Sequence, residues 1–184
     1  GYENLFFKTM NLFKNVGDFY DYNYVIKTDD DALLCVNKYL KETERLEEEK
    51  QLFAYVGSFI KCGHIYHDPR DQWYDPSFQR NGGNHLNCYP PYMAGLGYML
   101  GRELIDSIKH STWSKITMED AAIGILTFGM KRFFVDVNGH KAFVHPLRKF
   151  KPWVNGNNVQ DILQCYSQTQ RLHNPTPWKS LPNL

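Results

Sequence analysis

Three consecutive aspartates, Asp29, Asp30 and Asp31, close a run that opens Tyr24-Val25-Ile26-Lys27-Thr28. Adjacent carboxylates repel, so a chain that places three together needs a compensating positive charge, and a divalent cation is the natural one. If the apolar run is a buried strand, the acids emerge at its carboxyl end, where open α/β sheets bind ligands. Side chains two apart on an extended chain point the same way, so Asp29 and Asp31 share a direction while Asp30 faces elsewhere. A capping role for Asp31 ahead of Ala32-Leu33-Leu34 accounts for one acid but not for three. Oxygen ligands suit magnesium or manganese, and such a metal commonly binds phosphate oxygens.

The rest of the chain has the size and pattern of one α/β domain over residues 1–184. With 184 residues and 42% hydrophobic content it can bury a real core. A net charge of +1, from 21 basic and 20 acidic residues, gives no support for a nucleic-acid partner. No apolar stretch is long enough to span a bilayer. Cys35, Cys62, Cys88 and Cys165 form no CxxC pair, which argues against structural zinc. Two disulfides and four reduced thiols fit that count equally.

Apolar periodicity predicts a helix over 4–16, ended by Gly17, then a strand over 21–28 and a helix over 32–51 whose charged end is a solvated face. A strand over 52–60 follows. The long segment 61–92, mixing Gly, Pro, Asn and aromatics, reads as a functional loop. Beyond it the pattern gives a short strand over 95–100, helices over 102–109 and 117–129, strands over 131–137 and 142–145, and a last helix over 160–172. Strands alternating with helices favour an α/β sheet.

Further candidates for chemistry lie beyond the aspartates. In Glu119-Asp120, the spacing Thr117 to Asp120 resembles a capping box, with the helix dipole holding Asp120 ionised. A carboxylate so held can still accept a proton as a bond forms. His145, at the end of a short strand, is a possible metal ligand. In Tyr89-Pro90-Pro91-Tyr92-Met93-Ala94-Gly95-Leu96-Gly97-Tyr98, the glycines allow close backbone approach to a ligand, and Tyr92 and Tyr98 are placed to flank a sugar or a base.

In order along the chain, these segments resemble the β-1,3-galactosyltransferase family, which also holds the β-1,3-N-acetylglucosaminyltransferases and is related to the Fringe enzymes. Asn4-Leu5 to Lys8-Thr9 resembles that family's "NLTLKT", and Tyr24 to Asp31 its "YVLKTDDD". Pro69-Arg70-Asp71 with Trp73-Tyr74 resembles "PxR…KWYVS", Tyr89 to Tyr98 resembles "YPPYCSGGGYVLS", and Glu119-Asp120 with Gly124 resembles "EDVYVG". Val144-His145 falls where the family places a histidine after its last core strand. The chain departs from the pattern at Pro76-Ser77, Met93, Leu96 and Ala121-Ala122-Ile123.

The resemblance implies a GT-A-like (Rossmann-like) mixed sheet flanked by helices, here with its N-terminal strands missing. It implies an inverting transferase that moves a hexose or N-acetylhexosamine from a UDP-sugar donor to a hydroxyl of a glycan, glycoprotein or glycolipid acceptor. It implies manganese (Mn2+) at Asp29, Asp31 and His145, with Asp31 as the direct ligand, Asp29 facing the ribose or a metal-bound water and His145 completing the metal shell. It implies Asp120 as the general base, and the segment 61–89 would shape the acceptor site. Lys27, Asp30, Trp73 and Glu119, with Tyr92, Gly95, Gly97 and Tyr98, are then the substrate-contacting candidates. A membrane anchor upstream of the chain and a place in the Golgi lumen follow from the same resemblance. A non-catalytic relative that binds glycan or nucleotide-sugar is the alternative, and a metal-dependent phosphoesterase a third reading that lacks its second ligand cluster.

Overall fold

The computed structural model describes residues 4–29, 32–80, 83–111, 116–137 and 143–144. Its elements run α1 (Leu5–Phe19), β1 (Tyr24–Thr28), β2 (Leu33–Leu34), α2 (Val36–Glu48), β3 (Ala54–Ile60), α3 (Pro76–Arg80), β4 (Tyr92–Gly101), α4 (Arg102–Ile108), α5 (Glu119–Leu126), β5 (Phe133–Asp136) and β6 (Phe143–Val144). Four strands form one mixed sheet in the order β1-β4-β3-β5. β4 is antiparallel to both of its neighbours, and β3 is parallel to β5. This is the α/β architecture that the sequence pattern and the family resemblance imply.

Alternation along the strands divides the core between the two faces of the sheet. Tyr55, Tyr98 and Leu100 point to one face, where they join Phe6, Met10 and Phe13 of α1, Leu104 and Ile105 of α4, and Ala121 to Ile123 of α5. Ala54, Val56 and Met99 point to the other face and meet Tyr39 and Leu46 of α2. Leu100 and Leu104 are completely buried, and each contributes roughly 1.5–3 kcal/mol by leaving water. α5 lies close on β4 because Gly124 has no side chain: a Cβ there would stand 2.4 Å from Cβ of Tyr92.

The differences from the sequence expectations have local causes. Gly17 does not end α1. The helix continues to Phe19, and Gly17 instead makes room for Lys109, whose Cδ would lie 2.8 Å from an added Cβ. α2 begins only at Val36, with Cys35 as its N-cap, so Asp31 is not the cap. Leu33 and Leu34 pair first with Val144 and Phe143, a contact between distant segments that local pattern does not show. Arg45 binds Glu42 and Glu49 along the solvated face of α2. β4 runs ten residues rather than six, because it is hydrogen-bonded on both sides.

The segment between β3 and β4 is ordered by a Cys62–Cys88 disulfide (Cα–Cα 5.3 Å) beside a backbone bridge between Gly63 and Tyr89. Within it lie the short α3 and one 3-10 turn, Gly83–His85. Cys35 is also disulfide-bonded, so the choice between oxidised and reduced cysteines falls to the oxidised form. The expected helix over 160–172 lies outside the described residues. Among the described residues, no helix is long and apolar enough to cross a membrane.

Candidate active site

Lys27 is the buried residue of β1, and its ammonium is the hub of the site. Nζ lies 2.5 Å from Oδ1 of Asp29 and 3.3 Å from Oε2 of Glu119, and it donates to the carbonyl of Gly95 at 3.2 Å. Burial opposes its charge, but Glu119 and Asp29 outweigh that and push its pKa up. The geometry follows from register. Lys27 pairs with Tyr98 and Thr28 with Gly97, so the end of β1 lies alongside the glycine-bearing half of β4. Asp29 then leaves the sheet with its N–H on the carbonyl of Leu96 at 3.3 Å.

Glu119 and Asp120 open α5 and face different partners. Glu119 is buried, with Oε1 accepting from the Tyr98 hydroxyl at 2.5 Å. Asp120 accepts from the N–H of Gly95 through Oδ2 and from that of Ala121 through Oδ1, both at 2.8 Å. A Cβ on Gly95 would stand 3.2 Å from Oδ2, so the bare backbone of β4 lets the carboxylate come this close. Gly95 therefore touches both halves of the site, its carbonyl on Lys27 and its N–H on Asp120.

The expected capping box does not form. Met118 is the N-cap and makes no side-chain capping bond, the Thr117 N–H goes to Asp75, and Asp120 turns to β4. The ionisation of Asp120 also differs from the helix-dipole expectation. Its pKa is pushed up to about 6, first by burial and then by the adjacent Glu119, against the two backbone N–H bonds and Lys27. Desolvation and a like charge outweigh the two N–H bonds and the Lys27 charge here.

The structure thus joins Asp29, Lys27, Gly95, Glu119 and Asp120 in one connected cluster. Tyr92 and Tyr98 do not flank an open site. Both rings are buried, Tyr92 against Gly63 and Tyr98 edge-on to Tyr55, because alternate residues of a centrally placed strand face the core. Tyr98 reaches the cluster only through its hydroxyl on Glu119. Gly97 serves the β1–β4 pairing, and Trp73 lies in the loop with its N–H on Asp71. Asp30, Asp31 and His145 lie outside the described residues. Among the described residues no three carboxylate, imidazole or thiolate groups converge on one point. Asp29 is the one expected metal ligand described, and its side chain is 31% exposed at the strand end, an oxygen donor of the kind manganese takes.

One residue of this region was not anticipated. Asp75 is buried and accepts from the N–H groups of Ser77 and Phe78 at 2.9 Å, and from that of Thr117 at 2.6 Å. The signal was present: an aspartate followed by proline and serine is a helix start, with Asp at the N-cap and Pro at the first helical position.

The galactosyltransferase family matches residues 1–135, a stretch that holds every residue of the cluster. The chain belongs to the galactosyltransferase family. Similar proteins include a probable β-1,3-galactosyltransferase 13 of Arabidopsis thaliana, 27% identical over 133 residues (70% of the chain, 36% of that protein). A β-1,3-galactosyltransferase 6 of Mus musculus is 26% identical over 110 residues (60% and 32%). A UDP-GalNAc:β-1,3-N-acetylgalactosaminyltransferase 1 of Sus scrofa is 27% identical over 130 residues (67% and 37%). The chain spans about a third of the length of these relatives.

Proposed function

We propose that the chain carries the catalytic carboxylates of a β-1,3-glycosyltransferase that moves a hexose or N-acetylhexosamine from a UDP-sugar to a glycan hydroxyl with inversion. One observation carries this reading. The acid that ends β1 and the acid that opens α5 share a single cluster, linked by Lys27, Glu119 and the backbone of Gly95.

Asp120 takes the general-base role. A carboxylate with a pKa of about 6 is largely ionised at neutral pH yet more basic than an ordinary aspartate. As the acceptor oxygen bonds to the anomeric carbon, the bond from that carbon to the diphosphate oxygen breaks and the acceptor proton passes to Asp120. Attack opposite the leaving group turns an α-linked donor into a β-linkage. Asp29, with Asp31 and His145, would hold manganese, whose chemistry when bound is to neutralise charge on the departing diphosphate. Glu119 and Lys27 hold the two sides of the cluster together rather than contacting sugar. The Cys62–Cys88 disulfide fits an oxidising compartment, of which the Golgi lumen is one.

The test is UDP release and sugar transfer with and without manganese, comparing wild type with Asp120→Asn. The variant is expected to bind UDP as wild type does and to transfer at least a hundredfold more slowly. Full transfer by Asp120→Asn overturns the base assignment. Metal-independent UDP binding without any release is the outcome for a non-catalytic relative.

A further inference from the structure

Asp75 is a buried carboxylate whose described partners are all backbone N–H groups. Burying a charge is expensive unless its lone pairs are filled. Capping α3 explains one oxygen: Oδ1 takes the N–H groups of Ser77 and Phe78. Serine or asparagine would cap as well. Capping leaves the second oxygen unexplained. Oδ2 reaches across to the N–H of Thr117, the residue before the N-cap of α5.

Each side of that bond is otherwise well anchored. On one side, Phe78 stacks on Tyr89 with ring centroids 4.5 Å apart, and Tyr89 lies beside the Cys62–Cys88 disulfide. On the other, α5 carries Glu119 and Asp120 in its first turn, and its first helical bond runs from the Ala122 N–H to the Met118 carbonyl. Asp75 is the point at which the disulfide-closed loop grips the entry to the helix that bears the base.

We propose that Asp75 is a positioning residue that ties the 62–88 loop to the start of α5 and so fixes where Asp120 stands relative to the acceptor side of the site. Its kinetic consequence rests on the transferase reading above; its structural consequence does not. Through Asp75, movement of the loop is carried to the first turn of α5, and a loop disengaged from Thr117 leaves the base free to shift.

The experiment uses Asp75→Ser, which keeps a capping oxygen for α3 but is too short to serve Thr117 as well. Amide hydrogen exchange by NMR is expected to speed up at least tenfold at Thr117 and Ala122, with Ser77 and Phe78 changed less than threefold. Transfer kcat at saturating acceptor is expected to fall at least tenfold, while UDP-sugar hydrolysis by water changes less than twofold. A merely structural role predicts uniform acceleration of exchange and a parallel fall of both rates, and either result overturns the proposal. So does unchanged exchange at Thr117 and Ala122. Should Asp75→Ser fail to fold, Asp75→Asn is read by the same criteria. If the wild-type protein transfers no sugar, the functional reading fails, while the exchange measurement still decides whether Asp75 positions α5.

Discussion

Asp120→Asn should gain stability relative to wild type as pH rises from 4 to 8. The carboxyl has a pKa of about 6 in the folded protein, against an ordinary value of 3.8. The folded state therefore keeps its proton in the range where the unfolded chain has released it. Wild-type stability from this group is full below pH 4 and is lost as pH rises through about 6. A shift of about two units corresponds to roughly 3 kcal/mol, and partial solvent access to Asp120 trims this to about 2–3 kcal/mol. Asparagine does not ionise and escapes the loss. Asparagine has one acceptor oxygen for the two N–H groups of Gly95 and Ala121, which Asp120 serves with separate oxygens, so its NH2 faces one of them and costs about 1–3 kcal/mol at every pH. The stability of the variant relative to wild type should therefore rise by about 2–3 kcal/mol between pH 4 and pH 8, or about 4–12 °C in Tm for a chain of this size. Urea unfolding followed by circular dichroism at pH 4, 5, 6, 7 and 8 measures the difference directly. A stability gap that stays constant across that range would show that neither burial nor Glu119 perturbs Asp120, and the argument for its heightened basicity would fall with it.

The same site yields further expectations. Transfer rate should decline as pH falls through about 6, since protonated Asp120 cannot accept the acceptor proton, and a flat profile between pH 5 and 8 would remove Asp120 from that step. Lys27→Met strands the buried Glu119 beside Asp29 and should cost about 3–5 kcal/mol. Lys27→Met with Glu119→Gln should recover most of that in denaturant titration, and additive losses would argue against the ion pair. Gly124→Ala brings a methyl to 2.4 Å from Cβ of Tyr92. It should cost about 1–3 kcal/mol by forcing α5 away from β4, and an unchanged Tm would contradict the close packing of that helix.

Much of the architecture was legible because it rests on local pattern. The apolar run before the aspartates forms a strand, the aromatic stretch before the loop forms β3, and the Glu119-Asp120 pair opens a helix. These signals depend on residues a few places apart, which is the range over which periodicity and turn chemistry act. The errors fall where distant segments decide. Leu33-Leu34 reads as helix until its pairing with Phe143-Val144 is seen, and Gly17 reads as a stop until Lys109 is placed against it. Tyr92 and Tyr98 look available to a ligand because sequence does not tell which face of β4 is covered.

The chain's own letters determined that acids would stand at a strand end and at a helix start, and that the family pattern would join them. Only the tertiary structure decided how they meet. Lys27 bridges Asp29 to Glu119, and Gly95 presents its carbonyl to one side and its N–H to the other. The basicity of Asp120 belongs to the same category. It is set by burial and by charges brought near through space, and neither quantity exists until β1, β4 and α5 have packed together.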